Sequence, residues 1–264
     1  MPGTPCWVSL TTQDMRVAQD FYGAVFGWEF APDVQAEGYV VAHADGEPVA
    51  GLVESAQSMG VRLPVAWTAY FVAESADAAA GRVRERGGTV AVGPLAFGRG
   101  RIAWAADPLD AAFCIWEGPA SPGWRAGRGT GAVAWLELHT RDPFASALFY
   151  GGVFEWDAHP DTVDVRYEHD RVMLRAGGRT VAGMYGGVPE SAEPAIRPQW
   201  HVHFCRDDVD GATARAAAAH GTVVTPPQET PLGRTATIRD PEGGLFHLSS
   251  AEDAPPDAPA APVT

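Results

Sequence analysis

Three residues of types that carry acid–base chemistry, Glu137, His139 and His247, lie in the second half of this 264-residue chain. Glu137 and His139 are two residues apart in an alternating apolar segment, so both side chains point to one face of a predicted strand. His247 lies in the last predicted strand. A carboxylate and imidazoles can hydrogen-bond a ligand, act as acid and base, or hold an amino-sugar cation. The alternative is that these strand side chains only pair with arginines such as Arg141 and have no function.

The charged residues exclude several other chemistries. The 19 basic side chains are all arginine, and 33 acidic ones give a formal net charge of −14. Without lysine there is no Schiff-base chemistry and no P-loop lysine. Without a basic tract the chain does not suit nucleic acid or an anionic membrane surface. Neutral or cationic ligands remain compatible with this composition.

Cysteine usage and the apolar pattern predict a soluble, cytoplasmic protein. The three cysteines are odd in number and far apart, which argues against a disulfide framework. Cys114 lies between Phe113 and Ile115 and is interpreted as a small buried residue. The N-terminus shows no signal-peptide pattern, and no apolar stretch approaches the ~20 residues that a membrane helix needs.

The chain repeats itself, which defines its domains. Rare residues recur at a shift of about 130 positions; they include Trp7 and Trp135, Asp14 and Asp142, Phe21-Tyr22 and Phe149-Tyr150, Trp28 and Trp156, Trp67 and Trp200, and Asp107-Pro108 and Asp240-Pro241. We therefore predict two homologous domains, residues 1–118 and 132–250. A Gly/Pro/Ser-rich linker at 119–131 joins them, and an Ala/Pro/Asp-rich tail at 251–264 is predicted to be disordered.

Each half shows the same order of elements twice. An alternating strand at Trp7–Thr11 precedes a helix that starts at Asp14 and ends before Gly27. Three short strands follow, and the pattern begins again with a strand at Trp67–Val72 and a helix at Ala76–Arg86. Four βαβββ modules predict an α+β fold in which helices cover the outer faces of curved mixed sheets.

This repeat resembles the vicinal oxygen chelate superfamily, which covers glyoxalase I, extradiol dioxygenases, and bleomycin and fosfomycin resistance proteins. The resemblance rests on D-x-x-x-A-x-x-F-Y-x-x-x-F-x-W at 14–28 and 142–156 and on the late Asp-Pro turns. It implies two glyoxalase-like domains, each with a concave face, here called the first cup and the second cup. The two-domain layout is similar to actinobacterial proteins labelled hydroxylase, including accessory drug-binding proteins of anthracycline biosynthesis.

In metal-dependent members of that family, each module offers a His, Glu or Gln ligand in its first strand and another in its last. The first-strand position lies about seven residues before the aspartate that starts the helix. The equivalent positions are interpreted as Trp7, Gly51, Trp67 and Cys114 in the first cup, and Trp135, Gly183, Trp200 and His247 in the second. Indole cannot ligate a metal. We therefore expect no metal and no cofactor.

Tryptophan at the four first-strand positions suggests aromatic walls for a planar ligand, with glycine leaving room for an indole or a flat ligand. The alternative is that the indoles simply plug the cups. Ser9 and Thr11 line the first cup where Glu137 and His139 line the second, so the second is expected to be the chemically active one. In the strand around residues 200–204, alternation of side chains is interpreted to place Trp200 in the cup. It then places His201 and His203 on the helix side, unless a bulge reverses the alternation.

The leading hypothesis is a metal-free protein that binds a planar aromatic secondary metabolite, such as an anthracycline-like polyketide antibiotic. Its role would be self-resistance or assistance to a tailoring oxygenase, and the ligand can be cationic. The first alternative is an isomerase, lyase or hydroxylase that uses Glu137, His139 and His247. The second is a catalytically silent structural module. A monomer and a homodimer, and pairing of modules within a chain or across a dimer, all remain open.

Overall fold

A computed structural model describes residues 2–34, 36–55, 64–119, 124, 131–160, 163–168, 170–188, 197–230 and 233–250. Most of the predicted linker and all of the predicted tail lie outside these residues. The described part of the chain contains no helix long and apolar enough to cross a membrane.

The first half contains eight strands and two helices in the predicted order. They are β1 (Pro5–Thr12), α1 (Met15–Phe26), β2 (Glu29–Pro32), β3 (Tyr39–Ala44), β4 (Glu47–Glu54), β5 (Ala66–Val72), α2 (Ala76–Glu85), β6 (Thr89–Phe97), β7 (Gly100–Ala106) and β8 (Ala112–Glu117).

The second half repeats this order and adds a short 3-10 turn at Trp156–Ala158. Its elements are β9 (Val133–His139), α3 (Pro143–Phe154), β10 (Val163–Glu168), β11 (Arg171–Ala176), β12 (Arg179–Tyr185), β13 (Gln199–Cys205), α4 (Val209–Ala218), β14 (Thr222–Thr230), β15 (Gly233–Arg239) and β16 (Leu245–Ser249).

Local chemistry explains where the first helix of each half begins and ends. The Asp14 carboxylate accepts hydrogen bonds from the backbone N–H groups of Arg16 and Val17, which α1 cannot satisfy internally. Gly27 ends α1 in the left-handed conformation, with φ of 72°. Asp142 caps α3 in the same way as Asp14 caps α1.

Each half forms one open, mixed, eight-stranded sheet, with the orders β2-β3-β4-β1-β5-β8-β7-β6 and β10-β11-β12-β9-β13-β16-β15-β14. The first strand of each module pairs in parallel with the last strand of that module, and the two first strands pair antiparallel at the centre. The α+β prediction of four βαβββ modules is confirmed. Consecutive modules of one chain share a sheet.

The helix-bearing faces of the two sheets meet in one aromatic core. Strands β5 and β13 cross there, α1 packs on α4, and α2 packs on α3. The Trp67 ring lies 5.0 Å from that of Phe204, and the Trp200 ring lies 5.1 Å from that of Phe71, between ring centroids. Burial of aromatic rings from both halves therefore joins the two sheets.

Cross-domain hydrogen bonds made by the repeated motif reinforce this core. A tyrosine of each first helix donates to the aspartate of the other half's Asp-Pro turn, and a tryptophan after each helix donates to a carbonyl just before the other half's first strand. The four bonds run from Tyr22 to Asp240 (2.9 Å), Tyr150 to Asp107 (3.3 Å), Trp28 to Gly131 (3.1 Å) and Trp156 to Gly3 (2.9 Å). We call these four bonds the interdomain clasp.

Candidate ligand-binding site in the second cup

The two cups are the sheet faces opposite the helices, and strand register fixes which residues line them. Val8 and Leu10 of β1 pack into the helix-side core, so Trp7 and Ser9 face the first cup. Tyr70 of β5 stands directly opposite Trp7. Residues directly opposite in an antiparallel pair point to the same face, so Tyr70 lines the first cup as well.

The same register in the second half places His203 opposite Trp135, and His201 opposite Glu137. His201 and His203 therefore lie in the second cup with Glu137 and His139. The prediction that these two histidines face the helices was wrong.

Trp67 and Trp200, predicted as cup walls, lie on the helix side. The Trp67 indole donates to the Tyr22 hydroxyl at 2.9 Å, and the Trp200 indole donates to the Tyr150 hydroxyl at 3.0 Å. Trp67 is three residues from Tyr70, an odd number, and a strand turns such residues to opposite faces. Each cup keeps one tryptophan from its first strands, Trp7 or Trp135, so the prediction of two aromatic walls per cup was wrong.

Aromatic and apolar side chains of the first half fill the first cup. Tyr70 bonds Ser9 at 2.7 Å, and the Trp7 indole donates to the Tyr39 hydroxyl at 2.6 Å. Ser9 is only 1% exposed and Cys114 is fully buried. Burial raises the pKa of the Cys114 thiol well above its usual range, which suits a buried residue and not a nucleophile.

Glycine leaves room in both cups for a tyrosine, not for a tryptophan. A Cβ on Gly51 would overlap the Tyr39 hydroxyl, and one on Gly183 would lie 2.6 Å from the Tyr185 ring. A tyrosine, and not the expected indole, therefore occupies the space beside each glycine.

Glu137 is the buried anion of the second cup, and each of its oxygens has a partner. The Trp135 indole donates to Oε1 at 3.0 Å, and His139 Nε2 lies 2.9 Å from Oε2. Burial alone would raise the pKa of Glu137, but electrostatic interaction with His203 and the hydrogen bond from His139 outweigh it, so the pKa lies well below the usual range. Glu137 is therefore a fixed carboxylate at neutral pH.

His139 is the accessible member of this group. Its side chain is 41% exposed, against 10% for Glu137. His139 therefore contacts solvent while its ring is hydrogen-bonded to a carboxylate in the interior of the second cup.

A second hydrogen-bonded chain runs beside Glu137. His201 Nδ1 lies 2.6 Å from His247 Nε2, and His247 Nδ1 lies 3.0 Å from the Thr237 hydroxyl. Burial, supported by the neighbouring histidines, lowers the pKa of His201 to about 3 and that of His247 well below its usual value. Both imidazoles are neutral at physiological pH.

His203 forms the centre of an aromatic stack in the second cup. Its ring lies 4.5 Å from those of Trp135 and His247, with interplanar angles of 17° and 15°. The residue is 4% exposed, and neither ring nitrogen has a hydrogen-bond partner among the described residues. His203 Nε2 approaches Glu137 Oε2 to 3.2 Å without hydrogen-bond geometry. Three parallel rings and two unsatisfied nitrogens thus lie beside one carboxylate.

Similar proteins and matching domain models show which superfamily the chain belongs to. It is 32% identical to putative glyoxylase CFP32 of Mycobacterium tuberculosis over 251 residues, which are 93% of this chain and 94% of that protein. It is also 32% identical to anthracycline biosynthesis protein DnrV of Streptomyces peucetius, over 97% of this chain and 96% of that protein. Residues 135–249 match the model of a glyoxalase-like domain, and residues 5–43 match a bleomycin resistance protein-like N-terminal domain. The chain belongs to the vicinal oxygen chelate superfamily.

Solved structures of the superfamily share the fold at low identity. A variant of homoprotocatechuate 2,3-dioxygenase from B. fuscum aligns with a TM-score of 0.63 and 14% identity, over 98% of this chain and 74% of that one. The Mn(II)-bound glyoxalase from Novosphingobium aromaticivorans aligns with a TM-score of 0.60 and 16% identity, over 96% of this chain and 84% of that one.

Metal-dependent members of the vicinal oxygen chelate superfamily raise the question whether the second cup suits a metal. Its imidazole and carboxylate donors are chemically suitable. Their arrangement is not, because Glu137 Oε1 is bonded by an indole and the His201 and His247 nitrogens are turned towards each other. No set of three His, Cys, Asp or Glu side chains in the described ranges could hold a metal ion. The residues do not fit the family's metal, and a metal-free site stays our prediction.

One sequence signal could have located His201. The caps of α2 and α4 are Ser75 and Asp208. Seven residues before them lie Thr68 and His201, which both line the cups. Trp67 and Trp200 lie eight residues before these caps, and therefore on the opposite face of the strand.

Proposed function

We propose that this protein binds a planar aromatic secondary metabolite in the second cup, of the kind represented by anthracycline-like polyketides. The observation that carries the proposal is the stack of Trp135, His203 and His247 beside the ionised Glu137. Trp135 and His203 are buried, while His247 is partly exposed and offers ring surface on which a flat conjugated ligand can pack. The first cup lacks such a surface because its own tyrosines fill it.

The polar atoms of the second cup suit the oxygens of such a ligand. Polyketide ring systems carry carbonyl and hydroxyl groups on a flat apolar framework. Imidazole nitrogens of His139 and His201 can pair with these oxygens, while the stacked rings exclude water. Few polar groups in an aromatic setting are typical of small-molecule sites.

The relatives support the same class of ligand. Two proteins named for anthracycline biosynthesis, from Streptomyces peucetius and Streptomyces sp. strain C5, match over 97% of this chain at 32% identity. We propose by this likeness that the protein acts in self-resistance or assists a tailoring oxygenase. A cationic amino-sugar on the ligand would gain from the net charge of −14 rather than from Glu137, whose oxygens are engaged.

One observation favours an enzyme as the second candidate. An ionised, buried carboxylate bonded to an accessible imidazole is the pairing that general acid–base catalysis uses. Glu137 would orient His139, and His139 would exchange a proton with the ligand. The candidate trio Glu137, His139 and His247 is divided by the structure, because His247 bonds His201 and Thr237 instead.

A single titration tests both candidates. Anthracyclines and hydroxylated anthraquinones are added while tryptophan fluorescence is followed, and the same mixtures are analysed by mass spectrometry for altered ligand. We expect Trp135→Phe to weaken binding by about tenfold or more, since the buried indole supports the His203 ring and donates to Glu137 Oε1. Trp7→Phe, the equivalent change in the first cup, is the matched control and should stay within about twofold.

Two results would decide against the binding proposal. The first is the absence of quenching by any probe at micromolar concentration. The second is an equal loss of affinity in Trp7→Phe and Trp135→Phe. Altered ligand that disappears in Glu137→Gln, with binding retained, would instead establish the enzyme.

A further inference from the structure

Thr237, His247 and His201 form a line of hydrogen bonds that the binding proposal does not use. Thr237 and His247 stand opposite each other on β15 and β16, and His201 reaches His247 from β13. Their contacts of 3.0 Å and 2.6 Å form one continuous line of hydrogen bonds. The line ends at His201 Nε2, which no described residue engages.

A neutral imidazole has one donor and one acceptor nitrogen, so the line can be written in two directions. In the first, Thr237 donates to His247 Nδ1, His247 Nε2–H donates to His201 Nδ1, and His201 Nε2 carries a proton. In the second, His201 Nδ1–H donates to His247 Nε2, His247 Nδ1–H donates to the Thr237 oxygen, and His201 Nε2 offers a lone pair. A hydroxyl can donate or accept, so Thr237 serves both.

Both directions keep every hydrogen bond and the same number of protons. Each of the three groups carries one exchangeable proton in either direction. The two histidines change tautomer together, and exchange with water supplies and removes the protons without net uptake. His201 Nε2 changes from donor to acceptor while no heavy atom needs to move.

We propose that this line is a two-state relay, which allows the second cup to bind the same aromatic ligand in its quinone and hydroquinone forms. A quinone carbonyl needs a donor at His201 Nε2, and a hydroquinone hydroxyl can use an acceptor there. The proposal rests on the second cup being the ligand site.

The first cup has no such line, which makes the relay a property of the second cup alone. The position of His247 is taken there by Cys114, that of Thr237 by Trp104, and that of His201 by Thr68. An indole only donates, and a buried thiol is a weak partner. Reversal of a hydrogen-bonded line is not available to these three residues.

Histidine ¹⁵N NMR tests the relay directly. In the ligand-free protein we expect His201 and His247 to share one tautomer, with an N–N coupling across the bond between them. His201→Gln and His247→Gln identify their signals among the eight histidines. With 1,4-dihydroxyanthraquinone both should be Nε2–H tautomers, and with its hydroquinone, prepared under argon, both should be Nδ1–H tautomers.

Thr237→Val tests the same relay by affinity. The wild-type protein should bind the two forms within about threefold of each other. Valine leaves His247 Nδ1 unpaired, and a buried lone pair is tolerated better than a buried N–H. The variant should therefore favour the quinone by about tenfold. Thr235→Val, two residues away on the same face of β15, should retain the wild-type ratio.

The outcomes separate this inference from the binding proposal. Unlike tautomers in the ligand-free protein overturn the relay. So does binding of both forms without a joint switch, or binding of only one form by the wild-type protein. No binding of either form overturns the binding proposal and the relay together.

Discussion

At the scale of single residues, the second cup keeps Glu137 ionised and two imidazoles neutral within a few ångströms of one another. Burial disfavours charge on His201 and His247, while nearby imidazoles stabilise the carboxylate. Strongly shifted pKa values in neighbouring buried groups are typical of sites that bind or react. These shifts also make the stability of the protein depend on pH.

We predict that the folded state loses stability as the pH falls from 6.5 to 5. The folded pKa values of His201 (about 3) and His247 lie below the unfolded value of 6.5, so the unfolded chain binds protons that the folded chain does not. Their contribution is present above pH 6.5 and is lost below it, by up to about 3 kcal/mol at pH 5 for the two groups. Glu137 adds a loss of the same sign at lower pH.

Urea unfolding at each pH, compared with the variant His201→Gln/His247→Gln, measures this term. The variant should show a shallower fall, because it lacks both titrating groups. Parallel curves for the two proteins would contradict the assignment of neutral histidines. Burial also raises the pKa of Asp107 and Asp240, and this effect makes the folded state less stable as the pH rises. The comparison with the variant separates the histidine effect from this opposite one.

At the scale of elements, sequence pattern predicts the helices and the order of strands but not the face of every strand. Alternation in β1 distinguishes the apolar helix side at Val8 and Leu10 from the cup side. Strand β13 reads Trp-His-Val-His-Phe, and alternation alone would put Trp, Val and Phe in the helix-side core, where the structure has them. The prediction instead treated Trp67 and Trp200 as equivalent to Trp7 and Trp135, which assigned that apolar face to the cup. Register with β9 shows the correct face, and that pairing is not visible in the sequence.

The glycine in the last strand of each first module offers a test of cup packing. We predict that Gly51→Ala destabilises the protein by about 1–3 kcal/mol, because the new methyl group displaces Tyr39 and its bond to Trp7. Gly81→Ala is the control: it lies within α2 with open space around its Cβ, and it should be stabilising by about 0.5–1 kcal/mol.

Thermal and urea unfolding of both variants measure the difference. The penalty of Gly51→Ala should largely disappear in a Tyr39→Ala background, where the clash is absent. Equal stability of Gly51→Ala and wild type would show that Tyr39 does not occupy the space beside Gly51.

At the scale of the whole molecule, the motif that marks the family also builds the interdomain clasp. Tyr22 and Trp28 of one half, and Tyr150 and Trp156 of the other, make reciprocal bonds across the interface. The sequence repeat reveals these residues, but a repeat cannot show that they contact the opposite half. Each domain thus presents an aromatic face that only the other domain covers.

We predict that the two halves depend on each other for folding. Residues 1–118 or 131–250 expressed alone would expose Trp67 or Trp200 and should self-associate or aggregate. Expressed together they should form a one-to-one complex, because the clasp and the aromatic core are non-covalent. Size-exclusion chromatography with light scattering measures the mass of each species. Tyr22→Phe with Tyr150→Phe should weaken that complex by about tenfold or more, since each change removes the partner of a buried indole N–H and of one carboxylate oxygen. A half that is monomeric alone, with the thermal stability of the full chain, would contradict this mutual dependence.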